Sequence, residues 1–166
     1  MKNHFLSTAL LLSLIVWLPA QTFAQQTDQP AKQESEISKI SLGAVYKFKA
    51  TYMYPMKGKG RNLTSDYIVV FSKDTLNGGL PYVGTATSVP YGSSDGGVNL
   101  ATNNFSYTES VNKKGNYIIK YKMTGSNDIT DATFTIYKNG TTDVSFHFFQ
   151  RDGISYRGNI TKIEKP

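Results

Sequence analysis

Tyr46, Phe48, Ala50 and Tyr52 alternate with Lys47, Lys49 and Thr51, and this period of two, repeated from Gly43 almost to the chain end, limits the fold most. Successive side chains of a strand point to opposite faces, so the alternation predicts half-buried strands with one apolar and one wet face. Leu63, Tyr67, Val69 and Phe71 repeat it, with Ile68 and Val70 behind them on a face that is also apolar. Tyr117, Ile119, Tyr121 and Met123 oppose Lys120 and Lys122. Phe134 and Ile136 lead to Asn139-Gly140, and Val144, Phe146 and Phe148 follow. Asn-Gly between two alternating runs predicts a type I′ hairpin that pairs Thr133 to Tyr137 with Thr142 to Phe148. Ile154, Tyr156 and Ile160 close the series, and shorter segments near Thr75 to Thr87 and Val98 to Tyr107 bring it to about eight strands. No helix-length apolar pattern interrupts them, which disfavours parallel βαβ units. The expected fold is all-β, one antiparallel domain that closes as a barrel, lipocalin-like in one form, or folds over as a sandwich.

The start of the chain follows other rules. Lys2, the apolar run Phe5 to Leu18 and the small-residue end Thr22-Phe23-Ala24 form a signal peptide, with cleavage expected after Ala24. The run is shorter than the roughly twenty residues that span a bilayer, so no stable membrane insertion is expected. Residues 25–38 are polar and carry no aromatic side chain, the composition of a flexible linker. Ser35 to Leu42, with Ile37 and Ile40 three apart, reads as a short helix ahead of a β domain over residues 39–166. The mature protein is expected in the periplasm or outside the cell.

Composition narrows the chemistry. The chain holds no Cys, which removes disulfides, lipid attachment at a cysteine, thiol nucleophiles and Cys-based metal sites together. The formal net charge is +6, one unit less once Lys2 departs, but the basic residues are scattered, so nucleic acid is not an expected partner. His147 is the one imidazole left after cleavage, so zinc, which takes three or four N or S ligands, is not expected. Strand alternation places it beside Asp143 and Ser145 without the third group that a nucleophilic triad needs, and an exposed strand histidine is the simpler reading. Gly92, Gly96 and Gly97 match no phosphate-binding pattern, and Ser93, Ser94, Asp95 and Asn99 make a poor calcium cage. No cofactor or metal is expected. Asp66, Asp74, Asp95, Glu109, Asp128, Asp131, Asp143 and Asp152 fall mostly in predicted turns, where Asp bonds its own backbone. Asp74-Thr75-Leu76 fits the Asp-Thr-apolar pattern of periplasmic glycosylation.

The stretch Leu80 to Leu100 is the most irregular. Pro81 and Pro90 lack an amide donor and belong at an edge or a crossing, while the glycines supply conformations that other residues resist. Tyr82 and Tyr91 then act as plugs of a clasp over one end of the sheet or, with Asp95, as the wall of a ligand site. Tyr82, between Leu80 and Val83, fits the plug better, and Tyr91 lies in more polar surroundings.

Taken in order, Asn62-Leu-Thr-Ser-Asp-Tyr67, Leu80-Pro-Tyr-Val-Gly-Thr-Ala86, Val89-Pro-Tyr-Gly92 with Gly96-Gly97 behind it, Lys114-Gly-Asn-Tyr117 and Ile154-Ser-Tyr-Arg-Gly158 resemble the landmarks of the DUF4251 family. These are small exported proteins of unknown function from Bacteroidetes-type bacteria. The resemblance covers Lys39 to Ile163 and implies one compact domain in the cell envelope and no activity. The chain departs from the family pattern at Gln150-Arg151-Asp152-Gly153. The expected function is a non-enzymatic envelope module that binds a small apolar or carbohydrate ligand or a protein partner. The rival is a hydrolase that uses carboxylates from separate strands.

Overall fold

A computed structural model describes residues 40, 43–87, 96–125 and 128–163. They form nine antiparallel strands: β1 (Val45–Pro55), β2 (Arg61–Phe71), β3 (Leu76–Leu80), β4 (Val98–Thr102), β5 (Phe105–Val111), β6 (Tyr117–Met123), β7 (Ile129–Ile136), β8 (Thr141–Phe148) and β9 (Ile154–Ile163). The spatial order is β4-β3-β2-β1-β9-β8-β7-β6-β5, so two meanders are joined by the pairing of the first strand with the last. The result is a barrel-like sheet, nearly closed, whose two edges are β4 and β5. The short helix expected over Ser35 to Leu42 lies almost wholly outside the described residues, and Ile40, which is described, is buried coil.

Alternation builds most of the core. Tyr46, Phe48 and Ala50 of β1 point inward to Val69 and Phe71 of β2, Phe134 of β7 and Ile160 of β9, all of them buried. Phe71 and Phe134 lie 4.6 Å apart, Tyr46 stacks on Phe71 at 5.6 Å, and Tyr121 meets Phe134 edge-on at 5.6 Å. The Tyr121 hydroxyl donates to the Ser72 carbonyl at 2.9 Å, tying β6 to the end of β2. Burial holds the phenols of Tyr121 and Tyr156 above their ordinary range, so both stay protonated donors.

The phase of β1 changes midway. Its register against both β2 and β9 slips between Ala50 and Tyr52, a bulge centred on Thr51. Past the bulge Met53 points inward, 1% exposed, and Tyr52 turns to the outer face, the reverse of what strict alternation predicts. Across from the bulge stands Gly158, where a Cβ would fall 1.9 Å from the Lys49 carbonyl oxygen. Only glycine lets β9 lie this close to β1.

The β7–β8 hairpin also differs in detail. Thr133 to Ile136 pair with Thr142 to Ser145 as the sequence predicts. The Gly140 amide, however, donates to Tyr137 and the Tyr137 amide to Thr141, so the loop has three residues, with Gly140 at φ 81°. This is the class in which a turn is followed by a left-handed glycine, in place of the two-residue type I′ turn.

Replacing Gly158 with Ala should lower stability by about 3 kcal/mol or more, since backbone must move to admit the methyl group. The matching Gly79→Ala change, where a Cβ meets nothing within 4 Å, should leave the melting temperature nearly unchanged. Equal melting temperatures for the two variants, read by circular dichroism, would remove the close approach as a constraint.

Candidate functional site

The bulge at Thr51 decides what lies on the outside of the barrel. Thr51 Oγ1 donates to the Arg157 carbonyl at 3.2 Å, and the extra residue sends Tyr52 and Tyr54 outward together, with ring centroids 4.6 Å apart. Tyr52 is half-buried over Gly60, whose absent Cβ would fall 2.5 Å from the ring, and Tyr54 is 42% exposed. Arg157 of β9 lies over the Tyr54 ring at 5.8 Å. Its Nε and Nη2 donate to the two oxygens of Asp143 at 2.7 and 2.8 Å, a fork that fixes the guanidinium plane. The Tyr137 hydroxyl adds a third donor to Asp143 at 2.8 Å.

Each of these bonds favours the charged carboxylate. The Arg157 hydrogen bonds, with a smaller part from Tyr137, hold Asp143 below the usual carboxylate range, and the same contacts raise Tyr137 and Arg157. The patch therefore offers two ring faces, a fixed cation and a fixed anion, on rigid strands. Sequence reasoning assigned Tyr52 to the interior and passed over Tyr54. The spacing of two in Tyr52-Met53-Tyr54 does say that both rings share a face. Which face depends on the bulge, and Thr51 has no residue type that announces one.

The residues expected to form the ligand site fare differently. Tyr91 and Asp95 lie outside the described residues. Tyr82 is described, and it is half-buried. Its hydroxyl donates to the Asp152 carbonyl at 2.9 Å, its ring meets Phe148 edge-on at 5.5 Å, and the Arg151 guanidinium lies over both rings, 4.6 and 4.2 Å from their centres. Burial raises the Tyr82 phenol. Arg151 lies 2.5 Å from Asp128 in an ion pair and donates to the Gly97 carbonyl at 3.1 Å. The Asp152 carboxylate accepts from the Thr85 amide at 3.1 Å, and that bond, ahead of Lys57, lowers its pKa. Tyr156 donates to the Pro81 carbonyl at 2.6 Å. These contacts tie the Pro81 to Ala86 segment to Arg151 and Asp152 at the end of β8.

His147 is exposed, as expected, but it is not alone: its Nδ1 lies 2.9 Å from Asp131 across the β7–β8 pair. Ser145 is two residues along the same strand, about 7 Å away by strand geometry, and no hydrogen bond joins it to His147. Among the described residues no three His, Asp or Glu side chains gather as metal ligands would. Thr75 of the Asp-Thr-apolar motif is half-buried, its carbonyl accepts from the Ser72 amide at 2.8 Å, and Leu76 is fully buried.

The pattern of DUF4251, a domain of unknown function, matches residues 28–160. No curated protein matches the chain. A crystal structure of a DUF4251 family protein from Bacteroides eggerthii is similar in fold, with a TM-score of 0.57 at 18% identity, covering 82% of this chain and 92% of that one.

The Asp143 network has a pH signature. Its folded pKa is depressed, so its contribution is present above the ordinary carboxylate value and is lost as pH falls through the folded value. Asp143→Asn should therefore cost about 1 kcal/mol or less at neutral pH, the range of a half-exposed pair, and the gap to the parent should close on acidification. Thermal melts from pH 7 down to about 2 check it, and a gap that widens in acid would contradict the assignment.

Proposed function

The chain belongs to the DUF4251 family, a domain of unknown function, and we propose that it is an exported, non-enzymatic binding module whose recognition surface is the Tyr52–Tyr54–Arg157 patch. One observation carries the reading: two tyrosine rings stand together on the outer face, one of them 42% exposed, beside an arginine already locked in plane by Asp143. A pyranose ring has an apolar C–H face and a rim of hydroxyls. Amphipathic rings beside fixed charged donors and acceptors suit it, so a carbohydrate-like ligand is the proposed class.

The filled interior favours an external site over an internal one. Phe48, Phe71, Phe134, Phe146, Tyr121 and Tyr156 are fully buried and occupy the space that a ligand-holding barrel keeps open. The state of the carboxylates favours binding over hydrolysis. A general acid needs a raised pKa, and Asp66, Asp143 and Asp152, shifted down by cations or hydrogen-bond donors, do not suit that role. The envelope location rests on the signal peptide, and N-terminal sequencing of the exported protein should begin at Gln25; a retained leader would refute it.

Titration calorimetry with oligosaccharides, including peptidoglycan fragments, tests the patch. Tyr54→Ala should weaken binding by tenfold or more and lower the melting temperature only slightly, because the ring lies on the outer face and outside the core. Unchanged binding in that variant, or no binding by the parent protein, would reject the site. Shortening of the oligosaccharide during the titration would favour the hydrolase instead.

A further inference from the structure

β5 is one of the two edge strands of the sheet. It pairs with β6 without a break from Phe105 to Val111, and no ladder joins it to β4, the other edge. Its seven residues include no Pro, Lys or bulge, three of the devices that keep an edge from pairing with another chain, and its one charge, Glu109, accepts from the Tyr117 hydroxyl. The phase of its ladder can be read at both ends. The Asn112 amide donates to the Asn116 carbonyl at 3.0 Å, and the Thr124 amide to the Asn104 carbonyl at 3.0 Å. Hydrogen-bonded and non-bonded pairs alternate in an antiparallel ladder, so Ser106, Thr108 and Ser110 bond to β6. The N–H and C=O groups of Phe105, Tyr107, Glu109 and Val111 therefore point away from β6. Their side chains share the core-side face with Tyr121 and Ile119, yet Tyr107 is 38% exposed and Val111 62%.

We infer that this edge is completed by a second copy of the chain, β5 against β5, about a two-fold axis at Thr108. The strand complements itself there. Phe105 falls opposite Val111 of the partner subunit and Tyr107 opposite Glu109 of the partner subunit, so every residue with free backbone groups meets another with free groups. On the far face Thr108 meets its own copy, and Ser106 meets Ser110 of the partner subunit. Apolar pairs, hydroxyl pairs and a Tyr–Glu pair are the favourable kinds, and none of them opposes like charges. Shifting the axis to Glu109 would set that carboxylate against itself, and shifting it to Tyr107 would leave Val111 unpaired. A two-fold pairing of one patch with itself is the commonest form of homo-oligomer.

Proline at alternate positions tests the inference. At position 109 it removes an amide that serves only the free edge, a placement that sheets tolerate. Light scattering of the mature chain should give twice the monomer mass at high concentration. Glu109→Pro and Val111→Pro should each halve that mass while keeping a cooperative melt, and Glu109→Gln, which keeps the amide, should remain dimeric. Thr108→Pro should instead lower the melting temperature, since that amide bonds to β6. A monomeric parent at every concentration, or proline variants at 109 and 111 that stay dimeric, would overturn the inference.

Discussion

The pairing of β1 with β9 is the constraint on which the barrel rests. Every other ladder joins neighbours in sequence, and all but β3–β4, which residues 81–97 separate, do so through short connections as local hairpins. The β1–β9 ladder alone joins the two meanders, matching Val45 with Ile163 and Pro55 with Ile154 across more than half the chain. Such a contact carries the largest loop-closure cost in the fold, and only the burial it completes offsets that cost. Gly158 makes the approach possible, and the Thr51 bulge lets a twisted strand stay paired on both sides. Along the chain the meanders are joined only through Asn103 and Asn104, and side-chain bonds such as Tyr121 to Ser72 and Tyr156 to Pro81 add to the ladder.

The outer surface inherits its chemistry from the same place. Without the extra residue at Thr51, Tyr52 and Tyr54 would face the core and Met53 the solvent, leaving Arg157 without the Tyr54 ring beneath it. The bulge thus serves closure and the patch at once, in keeping with the tendency of bulges to re-aim side chains beside functional sites. Near the same strand ends, the Arg151 guanidinium over the Tyr82 and Phe148 rings pins the Pro81 segment to the end of β8. That contact buries a cation among rings and relies on Asp128 to balance it.

How much of this the sequence disclosed follows from which forces are local. Alternation marked β1, β2 and β6 to β9 because one buried face demands it, and Phe48, Phe71, Phe134, Phe146 and Tyr156 lie in the core accordingly. Tyr52 was misplaced because a bulge is settled by two partner strands together, and β9 lies about a hundred residues away. The hairpin at Gly140 was found and its loop length missed, since Asn-Gly suits both a two-residue and a three-residue loop. Arg151 and Asp152 look like loop polarity in the sequence. Their partners Tyr82, Thr85 and Asp128 come from other segments, so only folding shows the contacts.

Native-state hydrogen exchange across the sheet tests the central place of the β1–β9 ladder most directly. If that ladder holds the two meanders together, the amides of Lys47, Lys49, Asn159 and Thr161, which bond across it, should exchange only through global unfolding, as slowly as any in the protein and with the full denaturant dependence of that transition. If those amides open by local fluctuation while the β6–β7 and β7–β8 hairpins remain protected, the barrel does not depend on the closure of its first strand with its last.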